Sequence, residues 1–137
     1  MPANMSWPAA WGGSQQGPSA LFILRAANLQ STSDQSFLKQ GNFTNYKITS
    51  VESNCVSGGA TVTCAGGIYT GAAKSGNILV AAAQSWIGLS AVGKTTAITL
   101  GAPISTDIQT ATPIFSLTTG STAAATADIF IFGEVMD

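Results

Sequence analysis

Apolar residues in this chain come in short bursts, and most bursts alternate with polar positions. Residues 45–52 (NYKITSVE), 95–100 (TTAITL) and 113–118 (PIFSLT) alternate with period 2. That is the pattern of a strand with one face in the core and one in water. Residues 20–27 (ALFILRAA) and 126–135 (TADIFIFGEV) are strand-like but apolar on both faces. Shorter strands are predicted at 61–64, at 66–71 and at 77–80; the glycines of 66–71 suggest a bulge or a close backbone approach. Residues 31–35 (STSDQ) read as a loop, and Ser57-Gly58-Gly59-Ala60 as the turn of a hairpin joining 45–52 to 61–64. Only 81–89 (AAAQSWIGL) has helical propensity, which Gly88 would end. Short strands with turns at near-regular spacing predict an all-β fold, an antiparallel β-sandwich of jelly-roll type.

The first 18 residues depart from this pattern. They hold three Pro, three Gly and two Trp. Pro removes backbone donors and Gly resists regular structure, so residues 1–18 are expected to form an extended N-terminal arm before a single β-sandwich domain at 19–137. Trp7 and Trp11 can anchor such an arm on a neighbouring subunit or fold back on their own domain, because aromatic side chains carry large contact area.

Composition sharpens the picture. Only 8% of the 137 residues are charged, against roughly 25% in ordinary proteins. The formal net charge is −1 and there is no His. Depletion of charge marks interface cores, and a two-faced apolar strand needs a second cover. Both point to a homo-oligomer, with Ile129, Phe130, Ile131 and Phe132 as expected assembly contacts. A polar but uncharged Ser/Thr/Asn/Gln surface is the competing explanation of the low charge.

Candidate chemistry is sparse. Arg25, Lys39, Lys47, Lys74 and Lys94 are scattered singly, without the basic stripe of a nucleic-acid binder. No apolar run reaches the length of a membrane span, and residues 1–20 do not read as a secretory signal. Cys55 and Cys64 flank the expected turn. With a four-residue loop at 58–61 they face each other and can close a disulfide; a one-residue slip sends them to opposite faces. Without His, a Cys–His nucleophile is excluded. The six carboxylates form no glycosidase-like pair and read as surface charges or turn caps, with Asp34 expected to bond local amides. Gly93-Lys94-Thr95 reads as a turn entering a strand. No catalytic residue, cofactor or metal site is expected, and the chain does not read as an enzyme. Trp86 and Tyr69 are the candidates for a glycan- or receptor-binding surface, although a core role suits them better.

Three segments together resemble a known family. They are Arg25-Ala26-Ala27-Asn28 through Ser31-Thr32-Ser33-Asp34-Gln35; Ala65-Gly66-Gly67-Ile68-Tyr69-Thr70-Gly71-Ala72-Ala73-Lys74-Ser75-Gly76 with residues 78–84; and Leu117-Thr118-Thr119-Gly120 with residues 123–133. Their order and combination, over roughly residues 20–135, resemble small structural proteins of tailed bacteriophages and prophages. The resemblance implies a virion component of β-sandwich architecture and three-fold assembly, formed in the bacterial host cytoplasm, with no catalytic residues. The chain departs from the family at 50–64, where Cys55 and Cys64 replace small or β-branched residues, and in its Trp-bearing arm. The expected role is a capsid decoration (cement) protein, a homotrimer bound to the major capsid protein or other virion proteins. A tail, neck or fibre component, or a receptor- or glycan-binding module, is the alternative.

Overall fold

Among the described residues, ten of largely apolar sequence form the first strand, β1 (Ser19–Asn28), and eleven form the last, β8 (Ala125–Val135). Between them lie β2 (Gln35–Ser36), β3 (Leu38–Lys39), β4 (Tyr46–Gly58), β5 (Ala65–Gly71), β6 (Ser75–Val80) and β7 (Ile114–Thr119). The structure is a computed structural model and describes residues 19–61, 63–101 and 107–137. The expected arm, with Trp7 and Trp11, lies outside the described residues.

The strands form two four-stranded antiparallel sheets, ordered β3–β1–β8–β4 and β2–β7–β5–β6. This is the β-sandwich expected from the alternation. Its core takes Phe22, Ile48, Val51, Ile129 and Ile131 from the first sheet, and Ile68, Leu79, Val80, Phe115 and Leu117 from the second. Trp86 stands edge-on to Phe115 with ring centroids 5.1 Å apart and donates its indole N–H to the Gly66 carbonyl at 3.0 Å. Phe22, Phe43 and Tyr46 form a second edge-to-face group at one end. Such pairs add about 0.5–1.5 kcal/mol each beyond burial.

Four local expectations are corrected. The turn signal at 57–60 makes no hairpin. Strand β4 runs through it to Gly58 and pairs along its length with β8. Gly58 then turns the chain out at φ +65, where a Cβ would lie 2.0 Å from the Ala124 carbonyl oxygen, so the glycine pair serves a crossing to the other sheet. The expected strand at 61–64 is absent among its described residues, and pairing begins at Ala65. The stretch 81–89 forms turns instead of a helix, because burying Trp86 against β5 fixes its path. Residues 95–100 form no strand; a single bridge ties Leu100 to Val80. The described parts of the β6–β7 connection, 81–101 and 107–113, close one side of the sandwich. They bond β4 through Gly93 and Lys94 at Cys55 and through Gln109 at Tyr46, and they bond β6 through Gly101 at Leu79.

Cys55 and Cys64 are free and buried. The Cys55 thiol donates to the carbonyls of Ser57 and Gly58, that of Cys64 to the Leu29 carbonyl. The expected hairpin that would set the two side chains face to face is absent.

Candidate assembly surface

Strand β8 alternates strictly. Ala125, Ala127, Ile129, Ile131 and Gly133 are buried, whereas Thr126, Asp128, Phe130 and Phe132 are half-buried. Ile129 and Ile131 are therefore core residues, not assembly contacts, which corrects the expectation for those two. Phe130 and Phe132 lie on the outer face of the first sheet, their rings 6.4 Å apart.

Register places more apolar surface beside them. Phe130 pairs with Ile23 on β1, and Ile23 with Leu38 on β3. These three form one row across three strands, about 10 Å wide at the usual strand spacing. Leu38 is 70% exposed. Ala20 and Ser50 flank Phe132, and Glu52 borders Phe130 on β4.

A bulge finishes this face. The β1–β8 register shifts between Leu24 and Ala27, and Ala26 takes φ +50. Asp128 closes the bulge. Its Oδ1 accepts the Ala26 N–H at 2.9 Å and its Oδ2 the Arg25 guanidinium at 2.9 Å. The guanidinium stands 5.3 Å from the Phe130 ring centroid, and the Arg25 side chain stays 67% exposed. Bulges commonly re-aim a side chain in this way. Sequence reasoning missed Ile23, Leu38 and Arg25, because the strand pairing that joins them to Phe130 carries no local signal.

A polar cluster lies on the opposite sheet. Ser116 lies between the core residues Phe115 and Leu117, and its hydroxyl donates to Asp34 Oδ1 at 2.8 Å while accepting from Lys74 Nζ at 3.0 Å. Asp34 Oδ2 accepts the Ala73 N–H at 2.8 Å. This corrects the expectation of local amide bonds, since Asp34 reaches across to the β5–β6 turn. That turn, Ala72–Lys74, holds Ala73 and Lys74 at φ +56 and +62, a conformation unfavourable without a fixing contact. The bonds from Ala73 and Ser116, with the nearby Lys74 charge, pull the Asp34 carboxyl below its ordinary pKa. Ser116 is fully buried. The Ser–Lys–Asp arrangement thus pins three segments together, with the serine buried and the two charged residues exposed.

Two other candidates take structural places. Trp86 is fully buried and Tyr69 is 3% exposed, so neither offers a sugar-stacking platform. The spacing Gly88-(four residues)-Gly93-Lys94-Thr95 matches a phosphate-binding loop, which the reading of Gly93-Lys94-Thr95 as a turn passes over. Gly93 and Lys94 do lie in a turn, closed by the Lys94 N–H on the Ala91 carbonyl. The Gly93 N–H is spent on Cys55, and no helix follows to cradle a phosphate. Among the described residues, no group of three or more His, Cys, Asp or Glu could hold a metal ion, and no helix is long and apolar enough to cross a membrane.

Comparison of the chain with protein-family models, curated proteins and solved structures gives no match. The geometry of the outer face is therefore the main guide to function.

Proposed function

We propose that this chain is a structural subunit of a phage virion, a capsid decoration protein that acts as a homotrimer and stabilises the head by bridging capsid subunits. The observation that supports this most is the row Leu38–Ile23–Phe130, with Phe132 beside it, on the outer face of a sheet whose other face already builds the core. Contiguous exposed apolar surface marks interaction sites. A chain with 8% charged residues has little else to keep such surface from associating. The mechanism is mechanical. A rigid sandwich buries apolar area at about 25 cal/mol per Å² before association costs. Several such contacts per oligomer turn modest single affinities into a durable clamp.

Purified protein mixed with phage heads lacking this component tests the reading. Expected are saturable binding at many copies per head and longer survival of the heads on heating. Failure to bind heads, with the protein found on tails, would replace the decoration role by a tail, neck or fibre role.

A further inference from the structure

We propose that residues 1–18 of one copy dock on the outer face of the first sheet of a neighbouring copy, with Trp7 and Trp11 covering Phe132, Phe130, Ile23 and Leu38. The inference rests on the assembly reading above and names its contact.

The place where this segment joins the domain argues for it. Ser19 pairs with Gly133 and Ala20 with Phe132, so the segment enters at the Phe132 end of the apolar face. From there β1 runs along that face, through Ile23 to Arg25. The direction of β1 at Ser19 thus points back, away from its own copy's face. Covering its own copy's face requires the segment to reverse direction before Trp11, whereas a neighbour placed beyond the Ser19 end receives it without a reversal. The reach is sufficient: Trp11 and Trp7 precede Ser19 by eight and twelve residues, which span up to roughly 26 and 40 Å when extended.

Chemistry matches as well. Residues 1–18 carry no charged side chain, so docking them desolvates no side-chain charge, and their three Pro present no backbone N–H. The receiving row, Leu38, Ile23 and Phe130 with Phe132 beside it, is apolar; Glu52 borders it on β4, Asp128 and Glu134 continue its face along β8, and Arg25 is the exposed cation at its edge. Arg25 already lies over Phe130 and keeps most of its surface free for a second ring, and Trp is the best aromatic partner for a cation. A segment-to-face contact is heterologous, so it closes into a ring when the rotation allows. A homotrimer satisfies that condition.

Two full-length variants separate the partners of the contact. Trp7→Ser/Trp11→Ser disables the segment, and Leu38→Asp/Phe130→Ser disables the face. Emission of the buried Trp86 and the urea midpoint report whether each variant is folded. Because Phe130 is half-buried, Leu38→Asp alone serves as a second face variant that leaves the core untouched. By sedimentation, each variant alone should self-associate at least roughly 30-fold more weakly than the parent chain, the scale of losing an aromatic anchor. An equimolar mixture should form a heterodimer, because the intact segment of the face variant can occupy the intact face of the Trp variant. A mixture that stays monomeric overturns the proposal in favour of docking within one copy. A Trp variant that assembles like the parent overturns it while leaving the assembly reading intact. A parent chain that is monomeric at every concentration and does not bind heads removes both.

Discussion

The Asp128 carboxylate on β8 holds the Arg25 guanidinium of β1 at 2.9 Å, the only ion pair among the described residues. The same carboxylate accepts the Ala26 N–H inside the bulge. An exposed ion pair contributes about 0–1 kcal/mol and a hydrogen bond about 0.5–1.5 kcal/mol. Asp128→Ala is therefore expected to destabilise the fold by about 1–2 kcal/mol in urea unfolding. Asp128→Asn retains an acceptor for Ala26 and should cost less. Equal losses for the two variants would place the whole effect in the ion pair.

Neighbouring positions on β8 should separate folding from assembly. Ile129 and Ile131 are fully buried, so Ile129→Ala or Ile131→Ala should cost about 2–5 kcal/mol. Phe130 and Phe132 are half-buried on the opposite face. Since complete burial of a Phe contributes about 1.5–3 kcal/mol, Phe130→Ser or Phe132→Ser should cost about 1 kcal/mol each in the isolated subunit. Chemical denaturation of the four variants, under conditions that keep them monomeric, checks the ranking.

Acid should loosen the second sheet. The Ala73 N–H and then the Ser116 hydroxyl lower the Asp34 carboxyl pKa in the folded state. A depressed carboxylate contributes stability above its unfolded pKa, about 3.9, and loses it as pH falls through the folded value. Asp137 has the same sign, held down by the amides of Thr44 and Asn45. Asp34→Asn should thus lower stability at neutral pH and flatten part of the further loss below about pH 4. Unfolding midpoints followed by circular dichroism from pH 2 to 8 measure this.

Both thiols should resist modification. Cys55 and Cys64 are fully buried with separate carbonyl partners, and burial raises the Cys64 thiol pKa. A thiol reagent should label neither at an appreciable rate in native protein and both after denaturation, with intact mass showing no internal disulfide. Loss of both thiols on air oxidation of folded protein would contradict the register of β4 on β8.

The sandwich was legible because its strands carry local signals: β7 lies within a few residues of where the alternation puts it, and β1 and β8 lie within a few residues of the two doubly apolar runs. Partner choice was not. Gly58-Gly59 signals a turn whether the chain returns as a hairpin or crosses to another sheet, and the partner of β4 is β8, far along the sequence. The alternation at 95–100 found no ladder, because backbone partners, not pattern alone, make a strand. At the surface, two large apolar faces on β8 could be read from residues 129–132, but not which face packs inward. Ile23 and Leu38 joined the site only through cross-strand register.

The measurement that tests the central claim most directly is the solution mass of the parent chain and of Phe130→Ser/Phe132→Ser over a range of concentrations. The parent should assemble to a trimer. The double variant should remain a monomer with native circular dichroism and Trp86 still buried. A parent that stays monomeric, or a folded double variant that assembles as the parent does, would contradict the assignment of this face to assembly.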